Sequence, residues 1–125
     1  MNLLTWWKIY TMKYLFVFLL VGLIVSCAET KYYKNGNLKW QMTENIDKYW
    51  YENGQIKSEW NRKDEVMKEW YENGQLRTEW HSKGRKSDGL SRAWYENGQI
   101  KYELLYKNGK KISDKRWDKD GNIEE

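Results

Sequence analysis

Three residue types in this chain could do chemistry: one cysteine, one histidine and glutamates that recur in identical surroundings. His81 has no second histidine or cysteine near it in the sequence, so a metal site is not expected. Glu52, Glu72 and Glu96 each precede Asn-Gly-Gln, a setting typical of a turn flank rather than of a catalytic carboxylate. The serines have no triad context, and no Gly-rich phosphate loop is present. We therefore expect a protein that is not an enzyme and uses no cofactor and no metal.

The cysteine, Cys27, follows a segment that is typical of an export signal. Residues 14–25 are a run of twelve apolar residues, with Lys13 before it and the small residue Ser26 after it. Such a run is short for a membrane span but suits the apolar part of a signal peptide. Residues 23–27 resemble the bacterial lipobox, which implies cleavage before Cys27 and acylation of its sulfur. Each buried CH₂ of an acyl chain contributes about 0.8 kcal/mol, so two or more chains make a stable anchor.

These features predict two N-terminal segments: a helical signal peptide over residues 1–26, and a lipidated Cys27 with a short tether over residues 27–31. Met12 is followed by Lys13, a typical start for such a signal, and is therefore a second candidate for the true start. Ala28, not Asp, follows the cysteine, which favours the outer membrane in a cell that has one. The alternative interpretation is an uncleaved anchor helix that ends at an unmodified cysteine.

Beyond the leader, the composition indicates a fold held together by aromatic rings. The chain of 125 residues contains 9 Trp and 10 Tyr, but only 2 Phe and no Pro, and half of its Leu, Ile and Val residues precede residue 26. The net charge of +4 falls to +2 without Lys8 and Lys13, because 20 basic residues then face 18 acidic ones. Charges of both signs alternate, so nucleic acid is not an expected partner.

The aromatic residues recur in a short unit that begins Trp-Tyr-Glu-Asn-Gly-Gln. Full copies occupy residues 50–60, 70–80 and 94–104, and worn copies occupy residues 32–40 and 117–124. Asn-Gly is the preferred pair of a type I′ turn, which joins two antiparallel strands through two residues. Such turns are predicted at Asn35–Gly36, Asn53–Gly54, Asn73–Gly74, Asn97–Gly98, Asn108–Gly109 and Asp120–Gly121.

A two-residue turn fixes which residues lie opposite each other in each hairpin. It predicts an aromatic–aliphatic pair, a Trp–cation pair and an opposite-charge pair in every full unit. These pairs are Tyr51–Ile56, Trp50–Lys57 and Lys48–Glu59, then Tyr71–Leu76, Trp70–Arg77 and Lys68–Glu79, and finally Tyr95–Ile100, Trp94–Lys101 and Arg92–Glu103.

The two-residue period of a strand then predicts the two faces of the sheet. Tyr51, Ile56 and Trp60 would share an apolar face, and Trp50 and Lys57 would lie on the other. Tryptophans under cations could stack sugars or peptides, or simply pack against their neighbours. The candidate binding face consists of Trp50, Lys57, Trp70, Arg77, Trp94 and Lys101.

The core Tyr-Glu-Asn-Gly-Gln-(Leu/Ile)-(Lys/Arg) resembles the MORN repeat family, in particular its bacterial variant branch. The resemblance covers residues 32–123. It implies an all-β fold over residues 32–125: an elongated, single-layer antiparallel β-meander of tandem hairpins. Many bacterial members carry an antitoxin label, and eukaryotic relatives are tied to membranes, phospholipids and scaffolding.

The sequence as a whole therefore predicts a non-enzymatic lipoprotein of the bacterial cell envelope, held in the membrane through a lipid on Cys27. Its repeat sheet would bind a protein partner or an envelope component. Two alternatives remain open. One is an antitoxin-like partner of a toxin, which rests on the resemblance alone. The other is phospholipid or glycan binding through the Trp and Lys/Arg face.

Overall fold

A computed structural model describes residues 28–124, which form one open antiparallel sheet of 11 strands. No helix occurs among these residues, so none of them belongs to a helix that could span a membrane. The signal helix predicted over residues 1–26 and the lipidation site Cys27 lie outside the described residues. The strands are β1 (Glu29–Tyr32), β2 (Leu38–Met42), β3 (Ile46–Trp50), β4 (Ile56–Asn61), β5 (Val66–Trp70), β6 (Leu76–Lys83), β7 (Lys86–Ser87), β8 (Gly89–Trp94), β9 (Ile100–Lys107), β10 (Lys110–Trp117) and β11 (Ile123–Glu124).

The strand order follows the sequence, which confirms the predicted antiparallel meander. Each strand lies beside the next one along the chain, except that β7 pairs only with the end of β6 and β8 takes the next place in the sheet. The sheet begins earlier than predicted, because Glu29 in β1 already pairs with Met42 in β2. Residues 29–31 therefore belong to the sheet rather than to a tether.

The turns of the repeat units have a different geometry from the predicted one. The Gly54 N–H donates to the Tyr51 carbonyl at 3.0 Å, and the Tyr51 N–H donates to the Gln55 carbonyl at 2.8 Å. Gly54 has φ +88°, but Asn53 is not among the described residues with positive φ. This is a type I turn followed by a glycine bulge, so the loop has three residues and the type I′ prediction is wrong.

The worn copies at the two ends of the array form the same turn. The Gly36 N–H donates to the Tyr33 carbonyl at 3.1 Å, and the Gly121 N–H donates to the Asp118 carbonyl at 3.2 Å. Both glycines have φ near +87°. The repeat therefore extends structurally from β1 to β11.

The type I′ prediction is confirmed at one place, the turn between β9 and β10. Asn108 and Gly109 both have positive φ, 50° and 82°, and Lys107 pairs directly with Lys110. Gly84 and Arg85 form a second turn of this kind between β6 and β7. Asn-Gly alone therefore does not decide between a two-residue and a three-residue loop.

The longer loop shifts the register near each turn. Trp50 pairs with Ile56, and Trp70, Trp94 and Trp117 likewise pair with the first residue of the following strand. The predicted Tyr–aliphatic and Trp–cation pairs are therefore wrong. In the three full units a second irregularity, one residue further along the strand, restores the predicted register, and the opposite-charge pairs are confirmed.

This shift also changes the two faces. Asp47 and Trp50 are three residues apart on β3, so their side chains point to opposite faces. Trp60 pairs with Asp47, whereas Ile56 pairs with Trp50. The predicted apolar face shared by Ile56 and Trp60 is therefore wrong. We name the face of Trp60 the groove face, and the face of Trp50 and the opposite-charge pairs the charged face.

The sheet has almost no conventional core. Among the described residues only Ala93 and Ser91 are buried, at 4% and 7% exposure. Both lie on β8 and belong to the groove face. The register carries this face from Trp60 through Met67 to Trp80, and Thr78, two residues from Trp80, pairs with Ala93. Cross-strand and inter-repeat contacts must therefore supply most of the stability.

Candidate binding surfaces

The charged face is crossed by a row of ion pairs. Lys48 and Glu59 are 2.9 Å apart, and the corresponding pairs in the next two units are separated by 3.6 and 2.9 Å. The register also places Glu59 opposite Lys68, so the charges alternate from strand to strand. Exposed pairs contribute about 0–1 kcal/mol each. The positive and negative charges of these three pairs balance, so the pairs leave no net charge that would attract a ligand.

The predicted binding face is not brought together as Trp–cation pairs. Each cation lies over the tyrosine of its unit: Lys57 Nζ is 5.5 Å from the Tyr51 ring centre. The same holds for Arg77 over Tyr71 at 5.8 Å and Lys101 over Tyr95 at 5.4 Å. The tryptophans at positions 50, 70 and 94 are half-buried beside Ile or Leu instead.

The tyrosine of each unit connects its hairpin to the next repeat. The Tyr51 hydroxyl donates to the Trp70 carbonyl at 2.8 Å. Equivalent bonds run from Tyr33 to Trp50, from Tyr71 to Trp94 and from Tyr95 to Trp117, at 2.8 to 2.9 Å. These contacts were not predicted from the sequence, because pairing rules within a hairpin say nothing about side chains that reach a neighbouring hairpin.

The asparagine of each unit has a similar double role. Asn53 Oδ1 accepts from the Gln55 N–H at 2.9 Å within its own turn, and Asn53 Nδ2 donates to the Glu72 carbonyl at 3.2 Å in the next repeat. Its counterparts Asn35, Asn73 and Asn97 also donate onward to the following repeat. These motif residues are thus engaged in holding the array together.

His81 is also engaged structurally. Its Nδ1 lies 2.6 Å from the Leu90 carbonyl, and its Nε2 lies 3.6 Å from a Glu79 carboxylate oxygen. The histidine therefore connects β6 to the start of β8. Within residues 28–124 no group of three or more His, Cys, Asp or Glu is arranged to hold a metal ion.

The groove face carries a cavity of about 500 Å³ lined by residues of β5 to β9. Cavities that bind small ligands or side chains are typically about 300–1,000 Å³. The apolar part of its lining consists of Met67, Trp80, Tyr102, Leu104 and Tyr106. The Trp80 side chain is 49% exposed, so the apolar lining is open to an incoming partner.

Two polar groups in this groove are incompletely satisfied. Glu69 accepts a hydrogen bond from the Thr78 hydroxyl at 3.2 Å, and no cation among the described residues forms an ion pair with it. The buried Ser91 hydroxyl has no hydrogen-bond partner in the part of the chain that the structure describes. A buried polar group without a partner costs about 1–3 kcal/mol. Both groups could therefore gain a partner from a ligand.

Comparison with protein families supports the repeat assignment. Three segments, residues 48–64, 66–83 and 87–108, match the family described as the MORN repeat variant. They include all five residues of the apolar groove lining, Met67, Trp80, Tyr102, Leu104 and Tyr106. No curated protein and no solved structure matches the chain.

Proposed function

We propose that this chain, whose residues 48–108 carry three MORN-variant repeats, is a non-enzymatic binding protein that presents its groove to a protein partner. A lipid on Cys27 would hold it in the bacterial cell envelope. MORN repeats are often involved in binding or membrane association. The observation that carries the proposal is an aromatic groove on one face of a single sheet, with no second layer over it among the described residues.

The two faces differ in what they offer a partner. Apolar surface that stays exposed in a folded protein usually marks an interaction site, and aromatic anchors supply much of the binding energy at interfaces. The groove face exposes Trp80 beside Met67 and Tyr106. The charged face has its ion pairs satisfied, and its tryptophans lie opposite aliphatic residues of the next strand. The groove face is therefore the surface that we assign to binding.

The proposed anchor fits the position of the first strand. The lipobox-like residues 23–27 end only two residues before β1 begins at Glu29. An acylated Cys27 would thus hold the first strand close to the membrane surface. A short connection of this kind limits how far the groove can move from the membrane, so the partner would lie in or near the envelope.

Metabolic labelling with a fatty-acid analogue tests the anchor. The wild-type chain should incorporate the label, and Cys27→Ala should lose it. Ser26→Ala is the matched control, because it keeps a small residue before the cysteine and should remain labelled. If the wild-type chain were as unlabelled as Cys27→Ala, the anchor would be refuted.

Co-purification after in-cell crosslinking tests the groove. Trp80→Ala should lose a partner that the wild-type chain retains. Leu105→Ala is the matched control, because Leu105 is 40% exposed and lies next to Leu104 on β9, so it points to the other face. The same partners with both variants would refute binding through the groove.

Phospholipid or glycan binding through the Trp and Lys/Arg face has less support. That idea rested on tryptophans stacked under cations, whereas the cations lie over tyrosines. An antitoxin role rests on family labels. A neighbouring toxin gene whose product co-purifies with this chain would favour it.

A further inference from the structure

We propose that the groove receives a lysine side chain, flanked by apolar residues, from the protein partner. This inference rests on the proposed function and names the chemistry of the segment that binds. Three observations carry it: a carboxylate without a cation, an aromatic lining around it, and a buried hydroxyl without a partner in the same groove.

The carboxylate is that of Glu69, which lies on the groove face opposite Thr78. The glutamates of the charged face, Glu59, Glu79 and Glu103, each pair with a Lys or Arg. Glu69 is half-buried and forms no such pair within residues 28–124. A partly desolvated negative charge beside apolar rings is best complemented by a cation from outside the chain.

Lysine fits this carboxylate better than arginine. Thr78 donates to Oε2 of Glu69 and so occupies one of its acceptor positions, whereas Oε1 has no hydrogen-bond donor among the described residues. Arginine binds a carboxylate most strongly through two parallel hydrogen bonds, which need both oxygens. The ammonium group of lysine acts as a point charge and needs only one.

The aromatic lining suits the rest of a lysine side chain. Lysine buries its methylene stem along apolar surface while its charged end reaches a polar partner. Trp80, Tyr102 and Tyr106 can cover the stem, and the face of an aromatic ring attracts an ammonium group. The cavity of about 500 Å³ leaves room for apolar neighbours of the lysine.

The hydroxyl of Ser91 supplies a second polar contact. It is buried on β8, it lines the same groove, and it has no hydrogen-bond partner among the described residues. A backbone carbonyl of the bound segment could accept its proton. Such a bond would fix how deeply the segment enters the groove.

Peptide binding to the full chain in detergent micelles tests the inference. The probe is a fluorescent peptide with one lysine between leucines, and its matched control carries the same lysine acetylated. We expect the lysine peptide to bind about five- to tenfold more tightly, as measured by fluorescence anisotropy. Equal affinity for the two peptides, or tighter binding of an arginine version, would overturn the inference.

Two variants locate the contact. Glu69→Gln should reduce the preference for the lysine peptide over the acetylated peptide to near zero. Glu59→Gln makes the same change on the charged face and should leave this preference unaltered. Trp80→Ala changes an exposed ring and should weaken both peptides. If Glu69→Gln and Glu59→Gln behaved alike, the lysine would not be bound at Glu69.

The outcome is separable from that of the proposed function. If co-purification depends on Trp80 but the peptide test fails, only the lysine assignment is wrong. If the lysine peptide binds through Glu69 while no co-purified protein depends on Trp80, the proposed function is wrong and the groove chemistry remains.

Discussion

At the scale of single residues, the side chains of the Trp-Tyr-Glu-Asn-Gly-Gln segment make contacts that hold the fold together. Tyr71 donates its hydroxyl to the Trp94 carbonyl in the next repeat, while Arg77 lies over its ring. Asn73 bonds its own turn and the Glu96 carbonyl. The recurring Trp-Tyr-Glu-Asn-Gly-Gln segment is thus explained by the joining of one hairpin to the next, and the groove residues such as Trp80 lie outside that segment.

The inter-repeat bond of Tyr71 leads to a first prediction. Tyr71→Phe keeps the ring under Arg77 but removes the donor to the Trp94 carbonyl, so it should lower the free energy of unfolding by about 1 kcal/mol. Chemical denaturation measures this change. Tyr49→Phe is the control, because Tyr49 is 38% exposed and its hydroxyl makes no hydrogen bond to another described residue; it should stay within about 0.5 kcal/mol of wild type. Equal losses in both variants would contradict the role of the bond.

Asp118 occupies the tyrosine position of the last copy and bonds its own turn instead. Its carboxylate accepts hydrogen bonds from the Asn122 side chain at 2.9 Å, the Asn122 N–H at 2.8 Å and the Asp120 N–H at 2.9 Å. The bonds from Asn122 are the main cause that lowers the pKa of Asp118 below its ordinary value of 3.8. The ionised form is therefore favoured in the folded turn.

This shift leads to a prediction about pH. Because the pKa is lowered on folding, Asp118 contributes its stability above the ordinary pKa and loses it as the pH falls through the lowered pKa. The amide resonances of Asp120 and Asn122 should move together in an acid titration, with a midpoint below 3.8. Asp118→Asn should abolish this transition. A midpoint at or above 3.8 would contradict the hydrogen-bonded geometry of the turn.

At the scale of elements, the sequence predicted the strands and turn positions but not the size of the loop. Asn53–Gly54 fits both a type I′ turn and a type I turn with a glycine bulge, and the choice moves the pairing of Trp50 by one residue. A one-residue shift moves a side chain to the other face. The Lys48–Glu59 pair was predicted correctly, because a second irregularity between Trp50 and Tyr49 restores the register.

The groove was not predicted from the sequence, for a related reason. Its lining comes from β5 to β9, which belong to different hairpins. Pairing within one hairpin does not say which residues of the next hairpin lie alongside. The predicted register already paired Trp80 with Met67 but kept both on the face of Leu76, whereas the shift near the turn puts Leu76 on the opposite face.

The two kinds of turn should respond differently to the same substitution. Asn53→Gly loses the bonds to Gln55 and Glu72 and gains nothing, because Asn53 does not have positive φ; it should cost about 1–2 kcal/mol. Asn108→Gly places glycine at φ 50°, which glycine adopts readily, so it should change stability by about 0.5 kcal/mol or less. Thermal or chemical denaturation of both variants checks this. A larger loss of stability in Asn108→Gly than in Asn53→Gly would instead support a type I′ turn in the repeat unit.

At the scale of the whole molecule, stability must be local, because each described strand makes nearly all of its contacts with its neighbours in a single sheet. With only Ala93 and Ser91 buried among the described residues, no shared core links the two ends. Arrays of this kind behave as a sum of repeat stabilities and interfaces between neighbours. Edge strands such as β1 should therefore open more readily than the central strands.

Hydrogen exchange on the Tyr71→Phe variant tests this locality. The lost bond joins the hairpin β5–β6 to the hairpin β8–β9, so exchange should speed up there by about fivefold, which corresponds to about 1 kcal/mol. Amides in β2 and β3 lie in an earlier repeat and should keep their wild-type rates. In wild type, protection should be highest in β4, β5, β6, β8 and β9 and should fall towards β1 and β11, because terminal strands have a neighbour on one side only. A uniform acceleration across β2 to β10 would instead mean that the sheet opens as one cooperative unit.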